Sequence, residues 1–224
     1  LTYAFLTVGL ELLLGLAIAL LLQRPSRFNN IASILLLLPL MTAPALAALM
    51  WKLMTHPDFG ILSYFLSVIG VHNFKWASDP ATALFTVVLV DMWVYTPFIM
   101  ILLLAGLRSL PPQPFEAAAL DGVPRLFVFW RITLPMLTPF LLTATLFRVI
   151  ESIQQFDIIY AMTQGGPGDK LTVFQVEAYL NFFQSTNVGR SAALLMILWA
   201  ITYALSNVFI KNWLRLREKQ RGNA

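Results

Sequence analysis

The sequence predicts an all-α protein that crosses a membrane several times as a bundle of helices. Only 12% of its 224 residues are charged and 58% are hydrophobic, whereas a soluble domain carries about 25% charged residues. Long apolar stretches recur along the chain, and the basic residues are distributed unevenly between them. Such a chain has too few polar side chains to cover a surface that faces water, so much of its surface must face lipid. No polar linker divides the chain, and we expect a single transmembrane domain over residues 1–224.

Five segments are predicted to span the membrane. An α-helix rises about 1.5 Å per residue, so about 20 residues cross the ~30 Å hydrocarbon layer. Four segments are clearly long and apolar enough. The fourth in chain order contains two prolines and three charges, but its apolar stretches are too long for a surface loop. The predicted spans cover residues 1–22, 31–54, 81–107, 133–160 and 188–213.

The basic residues predict the orientation of these spans, because connections rich in Lys and Arg stay in the cytoplasm. Alternate connections and the C-terminal tail hold one set, Arg24, Arg27, Arg108, Arg125, Arg131, Lys211, Arg215, Arg217, Lys219 and Arg221. The other side holds Lys52, Lys75, Lys170 and Arg190. The larger set is therefore placed inside, together with residues 108–132, and residues 55–80 and 161–187 are placed outside.

Little in the sequence points to an enzyme. The chain has no cysteine, which excludes disulfides and thiolate metal sites. Its two histidines, His56 and His72, fall in one predicted outer loop without ligand spacing, and no metal site is expected. No Gly-rich loop ends in Lys-Ser or Lys-Thr, so we expect no cofactor on this chain. The net charge of +4 is explained by residues that set topology rather than by a nucleic-acid partner.

The cytoplasmic connection between the third and fourth predicted spans has an unusual pattern. Pro112 and Pro114 suit the first turn of a helix, and the residues that follow are good helix formers. Gly122 can end that helix in a left-handed conformation. A second short helix is predicted over residues 123–131, before Pro135 begins the next span. The connection is thus predicted to form two short helices at the inner face of the membrane.

The residues of this connection resemble the "EAA" loop of permease subunits in bacterial ABC importers. Glu-Ala-Ala at residues 116–118 is followed after three residues by Gly122, and after nine more by Ile-x-Leu-Pro at residues 132–135. An isolated Glu-Ala-Ala would indicate only an amphipathic connector, but every element of the pattern is present. Other stretches look like the carbohydrate-import branch, which includes maltose, trehalose and glycerol-phosphate permeases; they are residues 38–39, 93–98, 156–160 and 165–168.

This resemblance implies the type I ABC importer permease fold in the bacterial inner membrane. A second, similar permease subunit would complete the translocation path, and an external binding protein would deliver the solute. Two ATPase subunits, which carry ATP and Mg, would dock on the cytoplasmic loops of the two permeases. The family core usually has six spans, so a sixth is expected to precede Leu1. The docking residues implied on this chain are Glu116, Ala117, Ala118, Asp121 and Gly122.

Four polar residues of the fourth predicted span are candidates for contact with a solute. Arg148, Glu151, Ser152 and Gln155 are spaced to share one helix face. A charge at mid-membrane costs roughly 2.5–3.5 kcal/mol on insertion scales, so this face should avoid lipid. We interpret it as bonding to solute hydroxyl groups, and the positions of Ser152 and Gln155 resemble the family's binding positions. The alternative is a structural ion pair of Arg148 with Glu151 or Asp91.

Two aromatic residues of the third predicted span are candidates for the same path. Tyr95 and Phe98 flank Pro97, which frees backbone carbonyl groups near mid-depth. An aromatic ring beside a polar group suits a sugar ring, and ordinary helix packing is the alternative. Glu11 is expected to be structural and to pair with a neighbouring span.

The sequence therefore predicts a permease subunit of an ATP-driven, binding-protein-dependent importer. Its solute would be a sugar, an oligosaccharide, a polyol or a related small polar molecule. One alternative is a stand-alone secondary transporter in which Asp91, Arg148 and Glu151 relay a proton. A second alternative is a membrane scaffold without a transport path.

Overall fold

A computed structural model describes residues 2–72, 74–168 and 170–222. Within them the regular structure is helical throughout, as predicted. Three short elements interrupt the α-helices, namely 3₁₀ turns at Pro39–Met41 and Trp76–Ser78 and a π-helical turn at Phe129–Thr133. The α-helices are α1 (Thr2–Leu22), α2 (Arg27–Leu36), α3 (Pro44–Met54), α4 (Ile61–Val68), α5 (Ala83–Ser109), α6 (Gln113–Leu120), α7 (Arg125–Val128), α8 (Leu134–Ile153), α9 (Asp157–Thr163), α10 (Phe174–Phe183) and α11 (Val188–Gly222).

Four helices in the described part of the chain are long and apolar enough to cross a membrane. They are α1, α5, the continuous helix Arg125–Ile153 that α7 and α8 form together, and the Val188–Lys211 part of α11. A fifth crossing is counted if the bent pair before residue 55 is one span. The structure thus agrees with an all-α bundle of about five spans.

The second predicted span, residues 31–54, is not one straight helix. The helical segment Arg27–Met41 meets α3 at an angle of 93°. The break falls at Thr42 and Ala43, which are both extended, with ψ values of 147° and 129°. Proline disfavours the helical conformation in the residue before it, so Pro44 starts a new helix rather than continuing the old one. The segment predicted as the second span is therefore built from two helices that meet at a sharp bend.

The fourth predicted span, residues 133–160, differs from its prediction at both ends. The second short helix expected over residues 123–131 is not separate, since α7 runs through the π-helical turn into α8. Pro135 has no N–H to donate to the preceding turn, and the widened turn before it accommodates that loss. At the other end the helix stops at Ile153, and α9 begins at Asp157. Gln155 therefore lies beyond the helix that carries Arg148.

The bundle is built around α5, which packs against α1, α3, α8 and α9. Its approach to α1 is close, because a Cβ atom on Gly15 would lie 2.7 Å from a methyl carbon of Ile99. Its approach to α8 is similar, since a Cβ atom on Gly106 would lie 2.6 Å from the Phe140 ring. Glycine at these two positions lets α1 and α8 approach α5 closely, with polar side chains between the three helices.

Two basic side chains, Arg108 and Lys52, each donate a hydrogen bond to the backbone of another helix. Arg108 donates from Nη2 to the backbone oxygen of Leu22 at 3.1 Å, which joins two connections predicted to lie inside. Lys52 donates to the backbone oxygen of Ala161 at 3.3 Å, which joins two connections predicted to lie outside. Each bond joins residues at ends of helices that the distribution of basic residues places on one side of the membrane.

We expect a cysteine introduced at Ser185 to react with a membrane-impermeant thiol reagent in intact cells, and one at Gln113 to be protected. Both positions are exposed, and the native chain has no cysteine that would react. Asp169, a natural choice from sequence alone, lies outside the described residues. Permeabilised cells provide the control, since both cysteines should then react. Labelling of Gln113→Cys alone in intact cells would reverse the topology.

Candidate functional site

Four charged side chains meet between α1, α5 and α8. Arg148 donates to Glu11 from Nε at 2.6 Å and from Nη2 at 2.8 Å. It also donates from Nη2 to Asp91 at 2.8 Å and from Nη1 to Glu151 at 2.9 Å. The side chains of Arg148, Glu11 and Asp91 are fully buried, whereas that of Glu151 is 45% exposed. We call this group the ion cluster; it joins three helices through one guanidinium group.

The ion cluster contains the structural pairs that the sequence left open for Arg148, with both Glu151 and Asp91. It also contains Glu11, which pairs with a neighbouring span as expected. A buried charge is tolerated when it is paired and its hydrogen-bonding capacity is used. Four of the five guanidinium N–H groups can be accounted for by these bonds. Arg148 therefore holds the three carboxylates in place and is itself enclosed.

Two neighbours connect the ion cluster to the surface. The ring of Tyr95 covers the guanidinium group, with Cζ of Arg148 at 4.0 Å from the ring centroid, within the range of a cation–π contact. Gln155 is 5% exposed and donates from Nε2 to Asp91 at 3.0 Å. Among the described residues, no donor reaches the carboxamide oxygen of Gln155. This amide can therefore accept a hydrogen bond from a further molecule.

An open cleft of about 560 Å³ lies beside the ion cluster, where the end of α8 meets α9, α10 and α11. Its walls combine aromatic rings with neutral and acidic polar groups. The aromatic members are Tyr95, Phe156, Tyr179, Phe182 and Phe183, and the polar members are Glu151, Gln154, Gln155, Asp157, Gln175 and Ser191. Small-molecule sites commonly have this composition, with an apolar surface and a few convergent polar groups.

The aromatic wall is a connected set of rings from α9, α10 and the residue before α9. The centroid of the Tyr179 ring lies 5.2 Å from that of Phe156, 4.7 Å from that of Tyr160 and 4.7 Å from that of Phe183. Phe156 and Tyr160 stack with their planes 12° apart. These contacts fix the orientation of the rings before any ligand arrives, which lowers the entropy lost on binding.

Three of the six residues predicted for the solute path line the cleft, namely Tyr95, Glu151 and Gln155. Glu151 is shared between the two sites, because its carboxylate reaches both Arg148 and the cleft. Gln155 reaches the cleft from the break between α8 and α9, not from the shared helix face that the spacing predicted.

The other three predicted residues lie elsewhere. Arg148 is enclosed in the ion cluster. Ser152 is 3% exposed, and its hydroxyl group lies 2.8 Å from that of Thr7 in the contact between α8 and α1. Phe98 packs edge-on against Phe147, with 6.3 Å between ring centroids. The helix face predicted from spacing is thus divided between the ion cluster, a helix contact and the cleft.

Sequence reasoning did not find the wall that α10 and α11 contribute. It placed residues 161–187 outside the membrane, and nothing in that segment indicated a helix whose aromatic residues line a cleft. The residues missed in that segment are Gln175, Tyr179, Phe182 and Phe183, and Ser191 of α11 was missed in the fifth predicted span. Two others, Phe156 and Asp157, belong to a stretch that was recognised for its resemblance but not placed in the path.

The connection between α5 and α8, which is predicted to be cytoplasmic, forms the helix end that was predicted for it. Gly122 has a φ of +66°, the left-handed conformation expected of it. Val123 donates from its backbone N–H to Ala118 at 3.0 Å, and Gly122 donates to Ala119 at 3.2 Å. These two bonds are those of a Schellman motif, which satisfies the last carbonyl groups of α6.

The predicted docking residues lie together on α6 and its end. Glu116, Ala117, Asp121 and Gly122 are exposed, and Ala118 is buried against the protein. Exposed apolar side chains surround them, with exposures of 89% at Leu120, 70% at Leu126, 52% at Phe127 and 58% at Trp130. We call this patch, formed by α6, its end and α7 with the turn that follows, the cytoplasmic patch, after the side of the membrane predicted for it. Its apolar groups have no cover in the described part of the chain.

Known proteins are similar to this chain in sequence, and others are similar to it in fold. Residues 11–220 match the family described as "Binding-protein-dependent transport system inner membrane component". The trehalose/maltose transport system permease protein MalF of Thermococcus litoralis is 34% identical over 94% of this chain and 71% of its own length. The sulfoquinovosyl glycerol transport system permease protein SmoG of Agrobacterium fabrum is 31% identical over 92% of this chain and 67% of its own length.

A solved structure has the same fold. It is the crystal structure of a bacterial ABC transporter involved in the import of the acidic polysaccharide alginate, and it superposes with a TM-score of 0.83. The match covers 96% of this chain and 77% of that chain at 20% sequence identity. The similarity therefore concerns the fold.

Proposed function

This chain belongs to the family of binding-protein-dependent transport system inner membrane components, and on that premise we propose that its cleft is the path of a sugar or similar hydroxyl-rich solute. The chain is a multi-pass inner-membrane permease. In this proposal it works as one subunit of an ATP-driven importer. The observation that carries the proposal is the cleft of about 560 Å³ beside the ion cluster.

The chemistry of the cleft supports a hydroxyl-rich solute. Each hydroxyl group both donates and accepts hydrogen bonds, and a carboxamide offers both functions from one side chain. Three glutamines line the cleft, Gln154, Gln155 and Gln175. The aromatic wall adds flat apolar surfaces against which the ring of a sugar can pack. The relative named as a trehalose/maltose permease supports the same class of solute.

The cytoplasmic patch supports docking of an ATPase subunit. Four large apolar side chains are exposed there beside Glu116 and Gly122, and contiguous exposed apolar groups commonly mark interaction sites. The ATPase chains would hold ATP and Mg, and this chain would have no catalytic role. A second permease subunit would close the cleft on its open side, and an external binding protein would deliver the solute to it.

The stand-alone transporter with a proton relay has less support. Asp91 and Glu11 are fully buried and bonded to Arg148, so neither reaches water directly. Purification and uptake distinguish the two functions. We expect two ATPase chains to co-purify with this chain, and we expect uptake to require ATP. Uptake that continues without ATP and stops when the proton gradient collapses would reject the proposal.

Replacement of Gln155 by alanine is expected to raise the solute concentration for half-maximal uptake several-fold. The change removes one hydrogen-bonding group from the cleft, which is worth about 0.5–1.5 kcal/mol. It also removes the bond to Asp91. Transport assays with the reconstituted importer measure the effect.

The matched control is Gln184→Ala, since Gln184 is exposed and does not line the cleft. Both variants should assemble with the ATPase chains in normal amounts. Equal half-maximal concentrations for Gln155→Ala, Gln184→Ala and the native chain would remove Gln155 from the path.

A further inference from the structure

We propose that the cleft of this chain selects uncharged solutes and rejects anionic ones. The imported molecule would then be a neutral glycoside or polyol, not a phosphorylated, sulfonated or uronic sugar. This inference rests on the proposed function, because it takes the cleft to be the solute path. The fold does not decide the sign of charge, since the same fold occurs in a transporter for an acidic polysaccharide.

The charges that face the cleft are all negative. Among its lining residues Glu151 and Asp157 carry carboxylates, and none is Lys, Arg or His. The carboxylate side chain of Glu151 is 45% exposed, and Asp157 is exposed at the start of α9. Like charges repel more strongly where water is partly excluded. An anion that entered the cleft would approach two carboxylates. Asp157 makes no ion pair among the described residues, and the cation bonded to Glu151 is the buried Arg148, which is shared with Glu11 and Asp91.

The two arginines that contact or adjoin residues of the cleft are paired with carboxylates. Arg148 is fully buried, bonds to three carboxylates, and has its guanidinium group covered by the ring of Tyr95. Arg190 precedes the lining residue Ser191, but its Nη2 atom lies 3.0 Å from the carboxylate of Glu177. Sites for phosphate or carboxylate use accessible Arg or Lys side chains. Arg148 is enclosed, and Arg190 is exposed but lies against Glu177 rather than among the residues that line the cleft.

The remaining polar groups of the cleft suit neutral hydroxyl groups. The carboxamide oxygen of Gln155 lacks a donor among the described residues, although the residue is 5% exposed and borders the cleft. Gln154 and Gln175 add two further amides, and the carboxylates accept hydrogen bonds from hydroxyl donors without a counter-charge. The cleft thus has more hydrogen-bond acceptors than donors. The hydroxyl groups of a polyol can donate to these acceptors, whereas an anionic group cannot.

The local potential can be measured without knowledge of the solute. Gln154→Cys places a reactive thiol at an exposed position of the cleft in a chain that has no other cysteine. In the reconstituted importer, this cysteine is reacted with a cationic and an anionic methanethiosulfonate of similar size. The two reaction rates are compared with those of the free thiol 2-mercaptoethanol. We expect the cation-to-anion rate ratio to exceed that of the free thiol by about tenfold or more, as one nearby charge can produce.

Asp157→Asn in the Gln154→Cys background is the matched control, since it removes one charge and keeps the shape of the side chain. It should lower the rate ratio toward that of the free thiol. A ratio for Gln154→Cys equal to or below that of 2-mercaptoethanol would overturn the inference. So would a ratio that Asp157→Asn leaves unchanged, because the carboxylate would then not act on the cleft.

Protection of the same cysteine tests the class of solute. Trehalose, maltose and sorbitol are each compared with their 6-phosphates for slowing the reaction of Gln154→Cys with an uncharged thiol reagent. We expect at least one neutral member to protect at a concentration about tenfold or more below that of its phosphate. Equal or better protection by the phosphates overturns the charge selection alone. Protection by no member of the panel rejects the cleft as the solute path and overturns the inference with it.

Discussion

Replacement of Arg148 by methionine is expected to leave little folded permease in the membrane. The change would leave Glu11 and Asp91 buried without the guanidinium group that they share. Removal of one partner from a buried ion pair costs about 3–5 kcal/mol, a large part of the roughly 5–15 kcal/mol that stabilises a typical domain. The amount of monodisperse protein after extraction in mild detergent, and the ATPase chains that co-purify with it, measure the effect.

Two controls separate this effect from a general intolerance of mutation. Arg190→Met removes an arginine whose side chain is largely exposed and whose partner Glu177 is partly exposed. Surface pairs of this kind contribute about 0–1 kcal/mol, so this variant should accumulate normally. The triple variant Glu11→Gln, Asp91→Asn and Arg148→Met removes the buried charges together and should recover folded protein. Normal yield and assembly of Arg148→Met alone would show that the ion cluster does not stabilise the fold.

The sequence predicted the positions of the long helices well because hydropathy depends on the residues themselves. Hydropathy alone does not predict two helix boundaries. The bend before Pro44 has a local cause, since proline restricts the residue before it, and it could have been predicted from the sequence. The end of α8 at Ile153 has no such local signal. Gln155 turns there toward Asp91 of α5, and a contact between residues so far apart is set by helix packing.

The candidate site was predicted only in part, because its contacts also depend on how the helices pack. Spacing along one helix correctly grouped Arg148 and Ser152, which are one turn apart and both buried. Spacing could not identify Glu11 as the chief partner of Arg148, because it holds no information on which helices pack together. The predicted spans contain few charges, and charges within a membrane usually pair with one another. Their presence was therefore the useful signal that these residues are in contact. The aromatic wall from α10 gave no comparable signal, because aromatic residues are common in any membrane protein.

Replacement of Gly122 by alanine is expected to reduce uptake and solute-stimulated ATP hydrolysis to about a tenth while the permease still inserts and accumulates. Gly122 has a φ of +66°, and an added Cβ atom would meet nothing within 4 Å in this chain. The cost is therefore backbone strain, about 1–2 kcal/mol for a residue with a Cβ atom in this conformation. That strain acts on the Schellman motif, which sets the angle between α6 and α7 and thus the shape of the cytoplasmic patch.

Glu116→Lys tests the charge of the same patch. Glu116 is exposed and makes no ion pair among the described residues, so its reversal should not disturb this chain. If the ATPase surface that receives α6 is basic, the variant should lose co-purifying ATPase and uptake together. Gly122→Asn is the matched control for the glycine, because asparagine tolerates the left-handed conformation better than alanine and should keep more uptake. Full solute-stimulated ATPase activity in both Gly122→Ala and Glu116→Lys would exclude the cytoplasmic patch as the ATPase docking site.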